Sequence, residues 1–244
     1  MIFAAGLGTR LKPLTDNTPK ALVKIGGKPL LEHVIRNLIS AGFNEIIVNV
    51  HHFAEQIIDF IQENNSFGIR IEISDESEML LDTGGGIQKA AWFFDDGKPF
   101  LVHNVDILSN IDLDILYKNH LETGAEATLA VNSRATSRYL FFDEKMKMRA
   151  WINEISGEIK PSNIEINPDW QKLAFAGIHV ISPTLLQKMS AGIEFQRKPK
   201  FSIIDFYLLV VEKTYISGFC HNDMKMIDVG KLHSIEEAER FLNG

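Results

Sequence analysis

The chain has 244 residues, 45% of them apolar, and a formal net charge of -7 at pH 7, which suits one sizeable core and excludes the basic surface a nucleic acid polymer needs. Its single cysteine, Cys220, leaves no internal disulfide or cysteine metal cluster. No apolar run approaches the ~20 residues of a membrane span, and residues 1–5 lack the basic region of a secretory signal, so a cytoplasmic protein with no membrane partner is expected.

Residues 1–5 read as a short first strand that runs into Gly6-Leu7-Gly8-Thr9-Arg10. Glycines there let backbone N–H groups approach an anion that a Cβ would hold off. The segment is either a phosphate cradle completed by Arg10 or a plain tight turn. It is not a dinucleotide fingerprint, whose third glycine would fall at Leu11, nor a Walker loop, which needs Gly-Lys-Ser/Thr. Lys20, in Thr18-Pro19-Lys20, reads as an anion-binding cation on a rigid loop or as a solvated lysine. Pro29 then opens a helix with an apolar stripe of Leu30, Leu31, Val34, Ile35, Leu38 and Ile39, which Gly42 ends.

Residues 45–50 form a buried strand, 53–63 a helix with Ile57, Ile58 and Ile61 on one face, and 69–73 a further strand. The acidic cluster Asp75-Glu76-Ser77-Glu78 is a solvated loop unless Glu76 reaches a ligand. Asp82-Thr83-Gly84-Gly85-Gly86 reads as a turn ahead of a helix over 87–94, with its amides facing a nucleotide or, alternatively, with the glycines serving as a hinge. A strand over 99–103 ends near Asp106, where open α/β sheets bind ligands, and Asp228 follows another apolar stretch. Carboxylates at those two places can hold Mg²⁺, or can be turn and capping residues. His51, His52, His103, His120, His179 and His221 show no zinc-ligand spacing.

Beyond a helix over 113–121 the pattern changes. Strand-like runs at 127–131, 139–142, 148–152 and 173–181 point to an antiparallel extension of a sheet that is otherwise mainly parallel. Ser234-Ile235-Glu236-Glu237 is a capping box for a last helix to about residue 242. A single domain is expected, with a nucleotide-binding part over about residues 1–110 and an acceptor part over about 111–230.

The glycine turn extended through Lys12-Pro13-Leu14-Thr15, with Pro19-Lys20, Gly84-Gly85, Asp106 and Asp228 in that order, resembles the sugar-1-phosphate nucleotidyltransferase family. The length is similar to bacterial N-acetylmuramate-1-phosphate uridylyltransferases and mannose-1-phosphate guanylyltransferases. The resemblance implies a Rossmann-like three-layer α/β/α fold with a mixed, mostly parallel sheet. It also implies transfer from a nucleoside triphosphate to a sugar 1-phosphate, with UTP and N-acetylmuramate 1-phosphate as the first reading. Mannose-1-phosphate guanylyl transfer, phosphocholine cytidylyl transfer and a non-catalytic nucleotide-sugar-binding subunit are the alternatives. Carried over by residue, Ala5, Gly6, Gly8, Thr9 and Arg10 hold the nucleotide, with Glu76 and Gly85 on the base and ribose side. Arg10 and Lys20 neutralise the reacting phosphate, and Asp106 and Asp228 bind Mg²⁺. Asn153, Gly177 and Asp205 are the acceptor candidates by position, in a monomer or small homo-oligomer. Two departures stand out. Val105 precedes Asp106 where relatives have Gly, and Trp151-Ile152-Asn153-Glu154 lacks the Lys of the family's Glu-Lys-Pro segment, for which Lys160-Pro161 is a displaced candidate.

Overall fold

A computed structural model describes residues 1–192, 198–221 and 223–243. In chain order it has β1 (Ile2–Phe3), β2 (Lys24–Ile25), β3 (Lys28–Pro29), α1 (Leu30–Ser40), β4 (Glu45–Val50), α2 (Ala54–Glu63), β5 (Arg70–Asp75), α3 (Asp82–Lys89), β6 (Phe100–Asn104) and β7 (Ile107–Ser109). There follow α4 (Leu113–Thr123), β8 (Ala127–Asn132), β9 (Arg138–Phe142), β10 (Met148–Asn153), β11 (Glu158–Lys160), β12 (Gln171–Ile181), α5 (Pro183–Ala191), α6 (Ile203–Val210), β13 (Ile216–Cys220), β14 (Met226–Asp228) and α7 (Ser234–Asn243). The contacts divide the chain into two compact units, and neither is continuous in sequence. The first holds residues 1–81, 102–114 and the chain from 225 onward; the second holds 82–101 and 115–224.

In the first unit the strands run parallel in the order β6-β1-β4-β5, with Ile2 opposite both Val48 and His103. Ile46, Ile47, Val48 and Val50 of β4 are all buried, as a parallel strand covered on both faces requires. The α1 stripe Leu30, Leu31, Val34, Ile35 and Leu38 is buried as expected. Gly42, at φ +89°, closes that helix: its N–H donates to Ile39 O and that of Phe43 to Leu38 O, the 5→2 and 6→1 pair that satisfies the last carbonyls. The short ribbon of β7 and β14, which the sequence patterns did not suggest, pairs Ile107 with Asp228. It ties the segment after residue 225 to the loop that carries Asp106.

The second unit has strand order β11-β10-β9-β12-β8-β13, antiparallel except for β13 beside β8. The mixed α/β fold and the antiparallel second half thus agree with expectation. The helix expected over 87–94 is corrected: α3 begins earlier, at Asp82, and residues 91–93 form a separate 3-10 turn. The triple glycine is helical and buried because it packs against Phe201. A Cβ on Gly84 would stand 2.2 Å from the Phe201 ring, and the Gly84 and Gly85 amides both donate to Phe201 O, at 2.9 and 3.3 Å. These bonds take up helix-start amides that otherwise lack an acceptor.

Candidate active site

Between Ala5 and the 3-10 turn Thr9–Leu11, Gly6 and Leu7 are exposed and Gly8 is half-buried, and the amides of all three have no acceptor among the described residues. Gly8, at φ +63°, sets the bend, and a side chain there would also press on Thr15 at 3.0 Å and Lys20 at 3.1 Å. Both ends of the loop are fixed by buried side chains. Thr15 Oγ1 donates to Gly8 O at 2.8 Å, and Asn49 Oδ1 accepts from the N–H groups of Ala4, at 2.7 Å, and Ala5, at 3.3 Å. Consecutive unspent amides on a loop held at both ends are free to donate to an anion.

Lys20 comes off a second 3-10 turn, Lys20–Leu22, and its ammonium pairs with the Asp106 carboxylate, both side chains being mostly buried. Asp106 follows β6, and its backbone O accepts from Val229 N–H at 2.8 Å, which places Asp228 beside it. Asp228 Oδ1 is buried and has no hydrogen-bond partner among the described residues. Gly230 then lies under two charged groups: a Cβ would stand 2.6 Å from Asp228 Oδ1 and 2.7 Å from the Arg10 guanidinium. The first unit therefore brings the glycine loop, Arg10, Lys20, Asp106 and Asp228 together. The donor set suits a hard divalent cation, because two carboxylates, one with an orphaned oxygen, supply hard ligands and leave other positions for water and phosphate oxygens.

Glu76 stands elsewhere than expected. It is fully buried, with Oε1 accepting from Asn49 Nδ2 at 2.7 Å and Oε2 from Leu81 N–H at 2.9 Å, so its carboxylate offers no face to a base or ribose. Gly85 is buried in α3 with its N–H on Phe201 O.

In the second unit, Asn153 ends β10 and turns its Oδ1 to Ile155 N–H, 3.1 Å, inside its own turn. Gly177, at φ +75°, forms the break in register of β12 between Phe175 and His179, which only glycine enters without strain. Asp205 on α6 accepts from Lys160 Nζ at 2.9 Å, and that ammonium also lies 5.2 Å from the Trp151 ring centre. Asp205 thus joins the strand pair β10 and β11, whereas no bond links Gly177 to either of the other two among the described residues. Asn49 and Gly230 are residues to which the sequence reading gives no role of their own. The signal for the first was a lone amide inside the apolar run 46–50; for the second it was a glycine two residues after Asp228.

The nucleotidyl transferase family model matches residues 1–244. The chain belongs to the nucleotidyl transferase family. Within that family it is 29% identical, over 98% of its length and 96% of the relative's, to the N-acetylmuramate alpha-1-phosphate uridylyltransferase of Neisseria meningitidis serogroup B. It is 44% identical over 108 residues, 43% of its length and 44% of the relative's, to the protein of the same name from Caulobacter vibrioides. Its fold matches HddC from Yersinia pseudotuberculosis, solved in complex with GMP-PN, at a TM-score of 0.75 and 22% identity, covering 99% of this chain and 97% of that one. Family membership makes nucleotidyl transfer the class of chemistry to which the chain belongs.

Proposed function

We propose that this chain joins a nucleoside triphosphate to a sugar 1-phosphate, releasing pyrophosphate, with UTP and N-acetylmuramate 1-phosphate as substrates. The observation that carries the reading is the convergence of unspent loop amides, Arg10, Lys20, Asp106 and Asp228 in one compact unit. The near full-length similarity to a muramate uridylyltransferase supports the choice of substrates.

In this reading the Gly6–Gly8 amides and Thr9 receive the triphosphate, and Arg10 and Lys20 offset the charge on the α-phosphate oxygens. A phosphate oxygen of the sugar phosphate attacks that phosphorus in line, the bond to the β-phosphate oxygen breaks, and pyrophosphate leaves with the electron pair. The nucleophile needs no general base, because a phosphate monoester with a second pKa of about 6 is already largely dianionic at pH 7. Catalysis then reduces to positioning and charge neutralisation. Asp106 and Asp228 would hold Mg²⁺, which when bound neutralises phosphate charge. On the acceptor side, Lys160 is the cation that stands with Asp205 and Trp151, and Asn153 and Gly177 complete the candidate set.

The test is pyrophosphate release with Mg²⁺ over the common nucleoside triphosphates, each against N-acetylmuramate, N-acetylglucosamine, mannose and glucose 1-phosphates and phosphocholine. Highest turnover with UTP and N-acetylmuramate 1-phosphate is expected. A preference for GTP with mannose 1-phosphate, or for CTP with phosphocholine, would replace the substrate assignment and keep the chemistry.

A further inference from the structure

Asn49 and Glu76 form a buried relay that ends on the backbone where the glycine loop begins. Asn49 is 2% exposed and Glu76 fully buried. The amides of Ala4 and Ala5 are fixed donors, so the Asn49 atom facing them must be the acceptor Oδ1. That leaves Nδ2 as a donor, and Glu76 Oε1 receives it, while Oε2 receives the fixed donor Leu81 N–H. The backbone of Glu76 is itself held: its N–H donates to Val50 O at 2.7 Å, and its O lies 2.8 Å from His51 Nδ1. Every polar side-chain atom of the relay has one permitted role, and an acceptor on both sides is what only a carboxylate supplies at position 76.

We propose that Asn49 and Glu76 are positioning residues for the nucleotide, acting through the Ala4 and Ala5 amides to hold the glycine loop in its anion-binding shape. The inference rests on the nucleotide-binding role given above to the loop. Ala4 and Ala5 immediately precede the three unspent amides of Gly6, Leu7 and Gly8, so a shift at the anchor moves all three together. The polarity of the relay also makes a specific exchange possible. Asn49→Asp sets two carboxylates against each other, and Glu76→Gln must turn an NH₂ toward either Asn49 Nδ2 or Leu81 N–H, donor against donor. In the double variant the conflicts vanish: the new amide at position 76 donates to the new carboxylate at position 49 and accepts from Leu81 N–H, and that carboxylate still accepts from Ala4 and Ala5.

The experiment measures pyrophosphate release by Asn49→Asp, Glu76→Gln and their combination, with nucleotide and acceptor varied separately, and nucleoside triphosphate affinity by calorimetry. Each single variant is expected to raise the nucleotide KM and Kd by about tenfold or more, to leave the acceptor KM within about twofold, and the pair to return within about threefold of the native chain. Nucleotide affinity unchanged in the single variants, or no recovery in a folded double variant, would overturn the proposal. If the native chain turned over no substrate pair but bound nucleotide, the function proposed above would fall, and the calorimetric cycle would still decide the role of the relay. Should one single variant fail to fold, the other single variant and the double variant carry the same comparison.

Discussion

At Gly230 the absence of a side chain matters for a reason other than backbone freedom, because its conformation is open to any residue and only space is short. A methyl there meets Asp228 Oδ1 and Arg10 together. Gly230→Ala should therefore leave the melting temperature close to native and lower kcat on the order of 10²-fold, the scale of a misplaced catalytic charge; steady-state rates beside a thermal melt check both halves. Asp106→Asn keeps the volume but removes the charge that pairs with Lys20. A loss of at least about 10²-fold in turnover with the fold intact is expected from circular dichroism and pyrophosphate release, and a fully active variant would remove Asp106 from the site. Gly84 presents the opposite case, a glycine required by packing within the second unit. Gly84→Ala drives a methyl into the Phe201 ring and should cost about 1–3 kcal/mol in denaturant unfolding.

At the scale of elements, periodicity located most of the strands and helices, including the stop of α1 at Gly42, because a stripe or a buried run leaves a direct mark on residue order. What it missed depends on partners remote in sequence. The start of α3 moved from Ile87 to Asp82 because Phe201 O, more than a hundred residues later, takes the amides of Gly84 and Gly85. The pairing of β7 with β14 is three residues long and carries no periodic signal, yet it sets Asp106 beside Asp228. Glu76 reads as part of a solvated acidic loop because one of its two donors, Asn49 Nδ2, reaches it only once β4 and β5 are paired.

Buried histidines on these elements give the acid side of the stability curve. Burial lowers His103 and His120 to about 4 and His179 to about 3, from an ordinary 6.5. A depressed imidazole favours the folded state fully above pH 6.5, and that contribution is lost as the pH falls toward 4 and then 3. Denaturation midpoints should accordingly drop between pH 6.5 and 4. Neither ring nitrogen of His179 has a hydrogen-bond partner among the described residues, and its ring lies stacked 5.4 Å from that of Phe175. His179→Phe should keep stability at pH 7.5 within about 1 kcal/mol of native or raise it, and should soften the acid decline; a steeper decline would contradict the assignment.

For the molecule as a whole, the order of five short motifs along the chain makes the family legible in the sequence alone, and the full-length family match bears that out. The charged groups at the ends of those motifs were legible as types of chemistry. Their mutual placement was not, since it depends on how residues 1–81 and 102–114 fold with the chain beyond 225. No helix among the described residues is long and apolar enough to cross a membrane. The most direct measurement is pyrophosphate release from UTP and N-acetylmuramate 1-phosphate, with Mg²⁺ and again with excess chelator, by the native chain and by Asp228→Asn. Turnover that chelation and the substitution both abolish is the predicted result. Silence with every nucleotide and acceptor pair in the presence of Mg²⁺, by a chain that still binds nucleoside triphosphate, would contradict the central claim that the loop and its carboxylates form a working transferase.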